Sequence, residues 1–291
     1  LTAIAQTKTY DGNTTADGTK FTAVGLVANE SISSLVLAYD TKNAGVGNKT
    51  INITGYGATT NFTSTNYNIT QINNTVSTIN QANLTLTAIA QTKTYDGNTT
   101  ADGTKFTAVG LVANESISSL VLAYDTKNAG VGNKTINITG YGATTNFTST
   151  NYNITQINNT VSTINQANLT LTAIAQTKTY DGNTNVSNGS GYTVTGLIAN
   201  ESIASVVLAY DTKNAGAGNK TITINNVVMG ANTSLSNYNP IYVNNNVSTI
   251  NQATITAITN VTLNSKTYDS TTTANFSLSN AILTGRIGSD N

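Results

Sequence analysis

The chain has 291 residues, with 13 basic and 13 acidic side chains, no histidine and no cysteine. That composition excludes a disulfide framework, thiolate metal sites and histidine-based acid–base chemistry. With only 9% of residues charged and a net charge of zero, it also leaves no electrostatic footprint for nucleic acid or an anionic membrane.

In chain order, residues 1–10 read as an opening strand, followed by turn chemistry at Asp11-Gly12-Asn13. Residues 21–26 alternate apolar and polar, and residues 33–39 form a stronger strand with Leu35, Leu37 and Tyr39 on one face. A turn-rich connector spans residues 40–48 and contains Gly45 and Gly47. Strands are expected again at residues 49–54, 67–72 and 76–84. About seven short strands with frequent turns and no helical period indicate an all-β fold of β-sandwich type. A β-helix or solenoid is the alternative, although no sub-period near 20 residues supports it.

The whole pattern then repeats. Lys8-Thr9-Tyr10-Asp11-Gly12 returns as Lys93-Thr94-Tyr95-Asp96-Gly97, as Lys178-Thr179-Tyr180-Asp181-Gly182, and altered as Lys266-Thr267-Tyr268-Asp269-Ser270. The period is 85 residues, and residues 1–85 are identical to residues 86–170. The expected organisation is three repeats, 1–85, 86–170 and 171–255, with a partial fourth at 256–291. A unit of that size can fold alone, burying roughly 60–65% of its unfolded surface. The joint at residues 75–89 contains no glycine, proline or other spacer, so a fairly stiff rod of end-to-end repeats is expected. The only proline, Pro240, belongs on an edge or in a turn. The fourth repeat is too short to close a sandwich; either the chain is cut there or another molecule supplies the missing strands.

The Lys-Thr-Tyr-Asp-Gly-Asn-Thr opening, with the later Tyr39-Asp40, Asn43 to Thr50 and Asn66-Tyr67 segments, resembles the YDG and MBG repeat domains of large bacterial surface proteins. The likeness covers all three repeats and the fragment. It implies immunoglobulin-like β-sandwich modules strung along filamentous-haemagglutinin-like adhesins, an extracellular stalk role, and no catalytic residues.

Several chemistries compete for the remaining residues. Each full repeat has a single glutamate, Glu30 in the first, and no spacing marks a pair of catalytic carboxylates. No enzyme and no cofactor are expected. Asp11 to Gly18 faintly resembles a calcium loop, but the third copy, Asp181 to Asn188, has lost the second aspartate, and a polar turn is the simpler reading. Lys8, Lys42 and Lys49 could crosslink to asparagine, with solvated lysines the simpler case. Tyr10, Tyr39 and Tyr67 are most simply core or corner tyrosines whose hydroxyls are bonded.

The first repeat carries eight Asn-x-Ser/Thr triplets. A polar strand face of Asn and Thr generates such triplets unaided, because residues i and i+2 share a face. Candidate glycosylation positions are Asn13, Asn29, Asn48, Asn61, Asn73, Asn114, Asn133, Asn146, Asn158, Asn200 and Asn219.

The functional expectation is a structural stalk or fibre segment outside the cell. Its partners would be neighbouring repeats, other copies of the chain and surface or matrix glycans, with no membrane insertion by this segment. The alternatives are a filament subunit completed by strand donation and a glycan- or cell-binding module.

Overall fold

The computed structural model describes residues 1–186, 190–288 and 290. As expected, the chain is all-β and built from tandem repeats. Among the described residues only three short 3-10 turns, Ser64–Asn66, Ser149–Asn151 and Leu235–Asn237, interrupt the strands. The chain divides into two compact units, Leu1–Lys93 with Asn98–Ile164, and Thr94–Gly97 with Asn165–Asn291.

In the first unit, repeat 1 builds a four-stranded sheet in the order Thr7–Thr9, Asn74–Asn80, Gly45–Tyr56, Leu35–Tyr39. Thr7–Thr9 runs parallel to its neighbour, and the other pairings are antiparallel. Alternation puts Leu35, Leu37 and Tyr39 inside, with Leu37 opposite Ile53 and Tyr39 opposite Ile51. Ile51 and Ile79 are fully buried, each contributing about 1.5–3 kcal/mol by leaving water.

Three expected elements are drawn differently. The opening stretch is two strands, Thr2–Ala3 and Thr7–Thr9, because the chain changes sheets between them. At the change, the Gln6 N–H donates to Ser77 Oγ (3.0 Å), and the Gln6 side-chain amide makes two bonds to the Asp17 backbone (2.8 and 3.1 Å). The connector is shorter than expected, since the strand Gly45–Tyr56 starts at its first glycine. Gly47, at φ +64°, sits in a bulge where the pairing register shifts, and its N–H donates to Thr78 Oγ1 (2.9 Å). Residues 76–84 are divided between two strands, Asn74–Asn80 and Ala82–Ala88, with Gln81 at the break.

The strand Ala82–Ala88 forms the middle of a second sheet, between antiparallel Phe106–Val109 and parallel Tyr152–Ile157. Ala82, Leu84, Leu86 and Ala88 fill its inner face, and Leu84 and Leu86 are fully buried. This strand passes through residue 85, the end of the sequence period, without a break. Its first half comes from repeat 1 and completes a sheet of repeat 2. In repeat 1 the corresponding sheet is reduced to Thr2–Ala3 with Phe21–Thr22, and residues 67–72 contribute only the bridge between Thr2 and Ile72.

In the second unit, Ala167–Ala173 lies between Tyr192–Thr195 and Tyr238–Val243. Pro240 falls on the outermost of these strands, opposite Leu169, where a missing N–H costs no ladder bond. Four strands, Thr177–Thr179, Asn245–Asn251, Gly216–Met229 and Ile203–Tyr210, form the other sheet in that order. Beyond residue 256 only two-stranded ladders form, Ala257–Thr259 with Ile282–Thr284 and Thr262–Leu263 with Phe276–Ser277. They leave Leu263 and Phe276 exposed.

Candidate functional site: the joint between repeats

Thr7–Thr9 delivers Lys8 into the turn that follows it. Lys8 Nζ donates to Asp11 Oδ1 (2.8 Å), Asn13 O (2.9 Å), Asn13 Oδ1 (3.1 Å) and Thr15 O (3.2 Å). The ammonium also lies 5.2 Å from the ring centroid of Tyr39, a cation–π contact. Lys8 is therefore neither solvated nor near a crosslinking arrangement; it is the hub around which the turn closes. The left-handed turn residue is Gly12 (φ +78°), Gly97 (φ +79°) or Gly182 (φ +80°). In the fourth copy Ser270 takes the same region at φ +60°. Lys178 and Lys266 repeat the arrangement with Asp181 and Asp269, both at 2.8 Å, and Lys93 donates to Asn98 O at 2.8 Å. Burial alone would raise the Asp11 carboxyl, but hydrogen bonds from Lys8 and the Asn13 backbone bring it below the usual carboxylate range.

The turn presents Tyr10, whose N–H donates to Asn80 O (2.8 Å). Its buried ring packs edge-on against Tyr152, with centroids 5.5 Å apart at 77°. The Tyr10 and Tyr152 hydroxyls donate to the two oxygens of one carboxylate, Glu115. The Val112 N–H donates to the Tyr152 hydroxyl oxygen (3.0 Å). Alongside, Asn151 Oδ1 accepts from the Ala44 N–H (2.9 Å), and Asn151 Nδ2 donates to Asn43 Oδ1 (3.2 Å). Tyr10, Asn43 and Ala44 belong to repeat 1; Val112, Glu115, Asn151 and Tyr152 belong to repeat 2. These groups make a joint with directional bonds on both sides.

The second unit contains the same constellation. Tyr95 and Tyr238 donate to the two oxygens of Glu201, with their rings 5.5 Å apart at 77°. Nearer the end of the chain, Tyr180 is hydrogen-bonded to Asp290, which stands where the earlier repeats have glutamate. Burial, followed by the hydrogen bond to Glu115, pushes the Tyr10 phenol up to about 12. The same causes push Tyr238 to about 12, in its case with Glu201, and raise Tyr95 and Tyr152. The chemistry suits phenols that stay neutral and donate, with the repeat's only glutamate as their acceptor.

The structure brings Tyr10, Tyr95 and Tyr180 to joints, while Asp11, Gly12, Asp181 and Gly182 shape the turns that carry them. Asp96 and Gly97 occupy the matching turn, and Tyr268 lies 89% exposed. The two aspartates of the calcium-like loop have local partners: Asp11 is held by Lys8, and Asp17 Oδ1 accepts from both the N–H and hydroxyl of Thr19. The third-repeat version runs through Ser187 and Asn188, which lie outside the described residues.

All eleven candidate glycosylation asparagines are exposed. Asn29, Asn61, Asn114, Asn146 and Asn200 have positive φ, between 54° and 72°, a conformation asparagine tolerates well. Others are committed to bonding: Asn73 and Asn158 Oδ1 accept from Ile53 and Ile138 N–H, both at 3.1 Å. Sequence reasoning missed the role of Glu115 and Glu201. The available signal was one glutamate per repeat in a nearly uncharged chain.

Fold and joint together define a tandem all-β repeat protein in which each repeat's Tyr-Asp-Gly turn grips the next repeat. The model of the YDG domain matches three times, at residues 1–75, 80–160 and 165–246, and the chain belongs to that family. The second and third matches begin just before the shared strands Ala82–Ala88 and Ala167–Ala173. No curated protein and no solved structure matches the chain.

Proposed function

We propose that the chain is a load-bearing segment of an extracellular stalk or fibre on a cell surface, of the kind that presents or builds an adhesive structure. The observation that carries this reading is the strand Ala82–Ala88, which is shared by consecutive repeats and leaves no slack between them. The Tyr10–Glu115–Tyr152 cluster beside it adds bonds that resist bending. A surface dominated by neutral Thr, Asn and Ser, with no histidine or cysteine, supports service in a medium of varying salt and redox state.

Single-molecule pulling tests the proposal. Each repeat of 85 residues should release about 300 Å of contour length in evenly spaced events. Extension without regular force peaks would reject a mechanical role. Electron micrographs of the purified chain should show thin straight particles. Strong binding to particular sugars on a glycan array would favour a recognition module instead.

A further inference from the structure

One glycine, repeated four times, marks where an incoming strand lies. A Cβ added to Gly110 would fall 2.1 Å from Asn83 O, on Gly196 2.2 Å from Asn168 O, and on Gly285 2.3 Å from Thr254 O. At Gly25 an added Cβ meets nothing within 4 Å. Beside Gly25 opens a cavity of about 190 Å³, lined among others by Val24, Ile32, Phe62, Tyr67 and Ile69. In repeat 2 the pairings Ile154 with Leu84 and Val109 with Thr85 set Leu84 between the counterparts of Ile69 and Val24. The cavity is thus an unfilled slot for an aliphatic side chain.

The backbone at this edge is also unfilled. Leu1 N donates to Thr70 O (2.8 Å), Ile72 N to Leu1 O (2.9 Å) and Ala3 N to Ile72 O (2.9 Å). Residues 70 and 72 therefore face the edge and, by the two-residue period, so does Asn68. Glu30 accepts from Tyr67, leaving its other oxygen for the phenol that Glu115 and Glu201 receive. Asn66 is exposed, whereas its counterparts Asn151 and Asn237 are 1% exposed.

The second unit carries the complementary half. Ala253-Thr254-Ile255-Thr256 corresponds to Ala82-Asn83-Leu84-Thr85, belongs to no strand, and leaves Ile255 47% exposed. Next to it a cavity of about 440 Å³ is lined in part by Tyr180, Asn214 and Ala215. These are the counterparts of Tyr10, Asn43 and Ala44, on which the Asn151–Tyr152 turn sits in the first unit.

We propose that the groove beside Gly25 accepts residues 253–256 of a second copy of this chain. The strand would run parallel to residues 67–72, with Ile255 in the slot and the Asn66–Tyr67 turn seated on Tyr180, Asn214 and Ala215. The donated segment exchanges its contact with Gly285 for one with Gly25. This rests on the fibre reading and specifies how a fibre would lengthen: head to tail, through a heterologous strand addition that does not close on itself.

Sedimentation velocity of the 291-residue chain from micromolar to millimolar concentration tests it. The expected result is a mass that rises with concentration and is held at the monomer by excess of a synthetic peptide with the sequence of residues 80–86. Thr70→Pro, which removes an edge N–H, should weaken association about tenfold. Ile69→Pro should leave it unchanged, since Pro240 already occupies the equivalent place in repeat 3. A chain that stays monomeric throughout, even one that binds the peptide, overturns the proposal, as does equal association of wild type and a folded Thr70→Pro variant. Regular pulling steps from a chain that stays monomeric would sink this inference while leaving the fibre reading intact.

Discussion

Tyr10 and Glu115 are 105 positions apart in the chain, yet the phenol of the first ends on the carboxylate of the second. In a sequence with one glutamate per full repeat, that charge is placed where two repeats meet and is held from both sides by tyrosine. The joint is consequently directional as well as apolar.

Tyr10→Phe keeps the ring that packs on Tyr152 and removes only the donor to Glu115. A part-buried carboxylate oxygen left without its partner should cost about 1.5–3 kcal/mol in the denaturant unfolding of the first unit. Tyr268→Phe, at the same motif position but 89% exposed, should change stability by less than about 0.5 kcal/mol. Equal effects of the two variants would contradict the role assigned to the joint.

Alkali should open the joints before it dissolves the sheets. An unfolded tyrosine titrates near pH 10, whereas Tyr10 and Tyr238 titrate at about 12 in the folded chain. A folded value raised above the unfolded one means stability is whole below pH ~10 and is lost as pH climbs through ~12. Phenolate absorbance should rise in two phases, the later one tracking loss of circular dichroism. A single phase near 10 would count against buried, carboxylate-bonded phenols.

Lys8→Met retains a long apolar stem while removing the donor that closes the turn. The loss should be about 2–3 kcal/mol, and it should appear as faster hydrogen exchange at Tyr39 N–H, which donates to Thr14 O (2.8 Å). Asp11 supplies the pH check. Its carboxyl is depressed, so its contribution is present above about pH 4 and fades as pH falls through the folded value. Lys8→Met should flatten that acid dependence; an unchanged slope would remove Lys8 from the turn's energetics.

Gly110→Ala and Gly25→Ala share a left-handed backbone, φ +104° and +91°, and with it a strain of about 1–3 kcal/mol. Only at Gly110 does the new methyl collide with a neighbouring strand, 2.1 Å from Asn83 O. Gly110→Ala should therefore lower the melting temperature of the first unit well beyond Gly25→Ala. Matching shifts would mean the shared strand yields easily.

The asparagine-rich surface invites a mass measurement on chain recovered from its native source. Attached sugar should add discrete increments to the 30.2 kDa polypeptide, with Asn29 and Asn114, both exposed in turns, among the modified positions. A mass equal to the bare chain would assign these triplets wholly to strand and turn chemistry.

Much of the fold was legible because period-2 alternation is written plainly in Leu35, Leu37, Tyr39, Ile51 and Ile53, and because an 85-residue identity cannot be mistaken. The turn at Asp11-Gly12 was readable for a similar reason, since glycine there answers a local backbone demand. Local signals, however, carry no information about partners a hundred residues away. Nothing near Glu115 announces Tyr10, and nothing near Lys8 distinguishes a solvated ammonium from one folded back over Tyr39. The glycines at 45 and 47 misled for the opposite reason: a bulge and a loop ask for the same residue. The break at Gln81 was hidden because its flanks, Ile79 and Ala82, are both apolar and read as one run.

The strand that begins in one copy and finishes in the next has a bearing on inheritance. Any event that inserts or deletes a whole 85-residue block, wherever the cut falls, rebuilds an identical splice. Such a gene could grow or shrink by slippage and still encode a chain whose every seam fits, making reach an adjustable trait that needs no new contact to be invented.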